Sequence, residues 1–307
     1  MHVEVHGEGP ALLLIPGADM GAWSWFRQVP PMQRLARVLT YDPPGVGRSQ
    51  ADSLPNCTMR AQAQAALDVL RATDTARCTV VAANQGGFVA LELALAQPEC
   101  VERLVLLTGG LAGAAEVWLS AEAWALHNEV VLLSPPERRR CEVGLQLAPG
   151  FIQRNPGSLD RLLEEYETNA PDTEVSAAYA AAAESWVAPP LQGLAGTPVL
   201  LLAGADDRYQ ARGAQDALAN ALPWARREVV TRCGYLPHLE RADAVNRAVM
   251  TFVQEATSPA DAAARWRTDG QGRRIAPDDA WAARQADVDA RPVNPLPLVP
   301  LPKVARR

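Results

Sequence analysis

Val80-Val81-Ala82-Ala83-Asn84-Gln85-Gly86-Gly87 is the stretch of this 307-residue chain from which its architecture unfolds. It closes a short apolar run, residues 78–83 (CTVVAA), and opens a helix-like stretch, residues 87–97. An apolar run this short, bounded by glycine, is the pattern of a strand buried on both faces. Ala82 and Gly86 are small enough for the strand and the following helix to approach closely. Reading outward, residues 11–15 (ALLLI, ending in Pro16-Gly17), 37–41, 103–107, 198–203 and 227–231 have the same texture. Helix-like stretches at 23–35, 58–72, 210–222 and 241–255 lie between them. Alternation of strands and helices predicts an α/β domain with a mostly parallel central sheet and crossover helices.

The alternation breaks at residues 114–190, which are alanine-rich and read as helical. Leu119, Ala123, Leu126, Val130 and Leu133 keep one face at helical spacing. The stretch holds Trp118, Trp124, Phe151, Tyr166, Tyr179 and Trp186, six of the chain's seventeen aromatic residues. We read it as a helical insertion covering the strand ends, so that residues 1–113 and 191–256 form the core and 114–190 a cap. From residue 257 the texture changes again: the last 51 residues hold seven prolines, which excludes a regular helix or a central strand. Trp266, Ile275, Trp281 and Val299 are costly to leave in water. The extension reads either as a loose tail or as a segment that wraps the body or joins a second copy in a homo-oligomer.

Composition narrows the function classes. The chain is 48% hydrophobic and 21% charged, ordinary for a globular protein. No apolar run approaches the roughly 20 residues of a membrane helix, and no basic segment precedes an apolar one as in a signal peptide. Cys57, Cys78, Cys100, Cys141 and Cys233 are odd in number, with no CxxC pair. Neither a zinc cage nor a disulfide framework is expected, and a reducing, cytoplasmic setting fits. The net charge is −6, while residues 257–307 carry nine basic and six acidic side chains. An acidic body argues against nucleic acid as a partner. There are four histidines (His2, His6, His127, His238) and one lysine, Lys303, so a Schiff-base lysine in the core is excluded.

Five motifs in sequence order resemble those of the α/β-hydrolase fold superfamily, of the kind with a helical cap, over residues 3–256. Leu12-Leu13-Leu14-Ile15-Pro16-Gly17-Ala18-Asp19 resembles the strand end whose next residue gives a backbone N–H to an oxyanion hole, here Ala18. Tyr41-Asp42-Pro43-Pro44-Gly45-Val46-Gly47-Arg48-Ser49 resembles the D-x-x-G-x-G-x-S loop. Val80 to Gly87 stands where the family has its strand–nucleophile–helix elbow, with Gln85 as the second oxyanion donor. Val199 to Asp207 resembles the strand end that presents the triad acid, which makes Asp207 that acid. Cys233-Gly234-Tyr235-Leu236-Pro237-His238-Leu239-Glu240 resembles the segment that carries the catalytic histidine.

At two of these places the residues differ from the pattern: the nucleophile position holds Asn84 and the histidine position Tyr235. A carboxamide oxygen is weakly nucleophilic and cannot be turned into an alkoxide. A phenol with an ordinary pKa near 10 is a poor base at neutral pH. The Ser-His-Asp mechanism cannot run on these residues. Asn84, Tyr235 and Asp207 are therefore the expected catalytic set. Ala18, Gln85, Asp19, His238 and Trp186 are the expected oxyanion or substrate contacts, with no metal or cofactor. Asp19 reads either as a pocket acid or as a helix N-cap, and His238 as structural unless its loop shifts. An oxyanion hole without a nucleophile leads to the expectation of a non-hydrolytic enzyme, a cyclase, lyase or isomerase acting on a hydrophobic carbonyl compound. Two alternatives stay open: a scaffold without chemistry, and a hydrolase that activates water with Asp207, Asp19 or His238.

Overall fold

The computed structural model describes residues 1–49 and 53–255, and the backbone of 267–268 and 274–275. Seven strands form one sheet: β1 (Val3–His6), β2 (Ala11–Ile15), β3 (Arg37–Tyr41), β4 (Cys78–Ala83), β5 (Val101–Leu107), β6 (Val199–Gly204) and β7 (Arg226–Val230). Their order is β1-β3-β2-β4-β5-β6-β7. Only β1 runs antiparallel, pairing Val5 with Leu39, and the other neighbours are parallel. Every residue of β4 is buried, as a strand covered on both faces requires. This is the α/β-hydrolase fold that the motif order implies.

Among the helices that flank the sheet are α1 (Val29–Met32), α2 (Met59–Ala72) and α3 (Gly86–Ala96). The expected helix over 23–35 is broken into a 3₁₀ turn at Ala22–Trp25 and the single turn of α1. Pro30 and Pro31 are the cause, because each lacks an N–H and biases the residue before it away from helical geometry. Strand β1 carries too short an alternation to stand out in the sequence. Its pairing with β3 supplies what its own residues do not.

Between β5 and β6 the chain is helical: α4 (Ala115–Trp118), α5 (Ala121–Val130), α6 (Pro135–Gln146), α7 (Phe151–Arg154), α8 (Ser158–Asn169) and α9 (Thr173–Glu184). Ser120 caps α5 by accepting the Ala123 N–H at 3.0 Å, which leaves Leu119 outside the helix. Ala123 and Val130 are buried, whereas His127 is half exposed, 3.9 Å from Glu142. The core closes with α10 (Arg212–Ala221), α11 (Pro237–Glu240) and α12 (Ala242–Gln254). Beyond residue 255, a two-residue pairing of β8 (Arg267–Thr268) with β9 (Arg274–Ile275) is described. The proline-rich reading of the extension, and its role in self-association, otherwise lie outside the described residues. No helix among the described residues is long and apolar enough to cross a membrane.

Candidate active site

The site sits at the C-terminal ends of β2, β4 and β6. Strand β4 ends at Ala83 and helix α3 begins at Gly86, so the chain must reverse direction at Asn84 and Gln85. Asn84 takes a left-handed φ of 54°, a region asparagine tolerates better than most side chains. A methyl group on Gly86 would lie 2.4 Å from the Pro16 carbonyl oxygen, so only glycine lets the helix start this close to the β2 loop. The sharp elbow is thus intact although its residue is a carboxamide.

Asn84 is buried. Its Nδ2 donates to the Tyr235 carbonyl oxygen at 3.0 Å, and the Thr108 hydroxyl donates to that same oxygen at 3.2 Å. No partner among the described residues reaches Asn84 Oδ1. It faces Gly17, where a Cβ would lie 3.1 Å away. Likewise no acceptor among the described residues meets the backbone N–H of Ala18 or of Gln85. Both residues line one small cleft together with Asp19, Tyr41, Gln62 and Tyr179. Two unengaged N–H groups beside an elbow form the donor pair that an oxyanion needs.

The remaining expected residues separate into those the fold gathers here and those it does not. Tyr235 is buried and packs on Tyr209, with ring centroids 4.8 Å apart. The Trp118 indole N–H donates to its hydroxyl, and burial raises the phenol well above its ordinary pKa, so it stays protonated. Among the described residues, the side-chain partners of Asp207 do not include Tyr235. Asp207 Oδ1 accepts the Tyr209 and Gln210 N–H groups at 2.9 and 3.0 Å, and Oδ2 accepts Gln215 Nε2 at 3.1 Å. Loss of water around that carboxyl outweighs these three bonds and raises its pKa to about 7.

His238 does not reach the cleft. Its ring is fully buried 5.0 Å from that of Trp25, and burial lowers its pKa to about 3. It is a neutral core residue whose carbonyl accepts Gln28 Nε2. Trp186 also stands away from Ala18 and Gln85. It stacks on Phe88 at 4.2 Å and donates to Glu92 Oε1 at 2.9 Å. Asp19 caps no helix: it accepts the Ser176 hydroxyl at 2.9 Å and meets Arg139 at 3.3 Å, both from the cap.

Two features carried no signal in the sequence. Glu240 is buried and bridges cap and core, with Oε2 accepting the Ala148 N–H at 2.8 Å and Oε1 the Gly234 N–H at 2.9 Å. Arg139 lies over the Tyr166 ring at 5.0 Å. The first depends on a contact between residues 148 and 240 and the second on one between residues 139 and 166, neither of which local pattern encodes. Among the described residues no group of three or more His, Cys, Asp or Glu is arranged to hold a metal ion.

An elbow between a buried parallel strand and its helix, an unengaged N–H pair beside it and an acid just past the end of β6, two strands away, define an α/β-hydrolase site. The chain belongs to the α/β hydrolase family, whose pattern matches residues 12–248. It is 28% identical over 253 residues to "Putative carbamate hydrolase RutD" of Pseudomonas syringae pv. syringae (strain B728a), covering 82% of this chain and 96% of that one. It is 24% identical over 273 residues to the 2-hydroxy-6-oxo-6-phenylhexa-2,4-dienoate hydrolase of Comamonas testosteroni, covering 83% and 91%. Its fold superposes on the enol-lactonase from Burkholderia xenovorans LB400 with a TM-score of 0.70 at 22% identity, covering 83% and 96%.

These relatives correct the expectation of a cyclase, lyase or isomerase, since they are named as hydrolases along nearly their whole length. The alternative left open by the sequence, a hydrolase that activates water, fits these relatives better than the main expectation.

Proposed function

We propose that this protein is a hydrolase of small, largely apolar carbonyl compounds, esters or carbamates, in which water attacks directly and no acyl-enzyme forms. The observation that carries the reading is the pair of unengaged N–H groups of Ala18 and Gln85 in one cleft beside an intact elbow. They would hold the substrate carbonyl and stabilise the oxyanion as water adds. Asn84 supports the reading because its unpartnered Oδ1 can accept a hydrogen bond from that water. Asp207 is the acid–base group: with a pKa near 7, it is deprotonated often enough to take a proton and protonated often enough to return one. It acts through an intervening water, because its own oxygens already accept three protein donors. Tyr235, packed against Trp118 and Tyr209 and held protonated by burial, is not a base. The related enzymes named as hydrolases of a carbamate and of a dienoate support the carbonyl substrate class. The free cysteines among the described residues suit a reducing, cytoplasmic compartment.

The test is a panel of p-nitrophenyl acetate, p-nitrophenyl butyrate and phenyl carbamate. Turnover should exceed that of the heat-inactivated protein and fall about a hundredfold in Asp207→Asn, the order expected for an acid–base group. Equal rates for native and inactivated protein across the panel would overturn the proposal.

A further inference from the structure

The oxyanion turn is held from the cap. Residues Gly17–Met20 form a turn closed by the Met20 N–H donating to the Gly17 carbonyl at 3.2 Å. Its third residue, Asp19, has a φ of 55°, a position that glycine or asparagine usually takes. A non-glycine residue there is under strain, and something outside the turn has to hold it. The holding groups are on the cap. Ser176 Oγ in α9 lies 2.9 Å from both carboxylate oxygens of Asp19, and Arg139 Nη2 in α6 lies 3.3 Å from Oδ2. Arg139 is itself fixed over the Tyr166 ring, which meets Trp23 edge-on at 5.3 Å. The chain from cap to turn is continuous, and it ends one residue from the Ala18 N–H.

We propose that Arg139 and Ser176 are positioning residues for the oxyanion hole, acting through Asp19. The inference deepens the hydrolase reading above and rests on it for its catalytic consequence. With the cap seated, Ser176 and Arg139 hold the Asp19 carboxylate, the turn keeps its left-handed residue, and the Ala18 N–H faces the cleft beside that of Gln85. Without them the turn relaxes and one donor is lost, while the elbow at 84–86 is unaffected. Glu142 lies close enough to Asp19 and Arg139 to interact with both charges, and its carboxyl is pushed up by burial. The carboxylate of Asp19 thus faces Arg139 and Ser176 directly, with Glu142, and behind it His127 and Arg138, on the same cap layer.

Hydrogen–deuterium exchange of the full chain, without substrate, reads this directly. Ser176→Ala combined with Arg139→Met should raise exchange across residues 17–20 several-fold and leave residues 84–88 unchanged. Arg139→Lys should restore most of the protection, and Ser176→Ala alone gives a milder form should the double variant fold poorly. On the ester panel, the double variant should lower kcat about tenfold with KM within twofold, as for a misaimed donor. Unchanged exchange at 17–20 in a folded double variant would overturn the proposal whatever the kinetics. If the native protein turns over nothing, the hydrolase reading falls, and the exchange result still decides whether the cap sets the turn.

Discussion

Asn84 occupies the turn between β4 and α3 and offers there only a carboxamide. Its nitrogen is committed to the Tyr235 carbonyl, and its oxygen is turned toward Gly17. A serine in its place would replace the amide donor with a hydroxyl, whose oxygen a base could activate. Asn84→Ser alone should therefore remain unlabelled by a fluorophosphonate, because neither the Tyr235 phenol nor His238 can serve as its base. Asn84→Ser with Tyr235→His should become labelled, and labelling of the native protein would contradict the assignment. Asp207 leads to a second expectation. If it acts as the base, kcat/KM should rise with pH through an inflection near its value of about 7, and that inflection should vanish in Asp207→Asn. The places of the segments at 16–19, 84–87 and 207 were legible, since they lie at strand ends whose positions the apolar runs reveal, whereas their roles rested on the family resemblance. The ring of His238 was not legible: whether a side chain beside a turn points to the cleft or to Trp25 depends on packing between segments more than two hundred residues apart.

The elements show why the elbow demands its glycine. Helix α3 starts against the loop after β2, and Gly86 lies where any Cβ would collide with the Pro16 carbonyl. Gly86→Ala should lower the free energy of unfolding by about 2 kcal/mol or more, the usual cost of forcing atoms into a packed interface. Urea denaturation measures it, and a change within 0.5 kcal/mol, roughly the scatter of neutral surface substitutions, would mean that the close approach is not tight. Strands β2, β3 and β4 run at the sequence positions their apolar runs indicate, because burial on both faces leaves an unbroken hydrophobic signature. The helical stretch at 23–35 misled for an identifiable reason, since its apolar spacing is helical but Pro30 and Pro31 stop the hydrogen-bond ladder. At the other end of the site, Gly234 leaves room for the Gln146 carbonyl and the Ala148 N–H, which brings the cap segment against the Tyr235 loop. The Tyr235 N–H donates to Gln146 at 2.8 Å, so cap and core share backbone hydrogen bonds as well as side-chain contacts.

Across the whole molecule, the buried titratable groups pull stability in opposite directions with pH. Burial raises Asp207 and Glu240 to about 7 from ordinary values of 3.8 and 4.5. The folded state binds their protons more tightly, so their contribution is full below the ordinary values and is lost as pH rises through 7. His238 is lowered from 6.5 to about 3, and Glu4, beside Arg48, His2 and His6, from 4.5 to about 2. Their contributions are present above 6.5 and 4.5 respectively and are lost as pH falls through 3 and 2. Thermal stability should therefore peak near roughly pH 4.5, where the two raised carboxyls begin to outweigh His238, and decline on both sides. Glu240→Gln should flatten the alkaline decline and His238→Gln the acidic one. An unaltered alkaline limb in Glu240→Gln would show that the bridging carboxyl does not titrate in the fold. This balance was invisible in the sequence, where net charge and composition describe the surface and not the groups enclosed between cap and core.

Hydrolysis by direct attack of water leaves no covalent intermediate on the protein. The most direct test is intact-protein mass spectrometry on the protein quenched during steady turnover of p-nitrophenyl butyrate. If water attacks directly, p-nitrophenol should accumulate while the protein keeps its unmodified mass. A population carrying the mass of a butyryl group would contradict it.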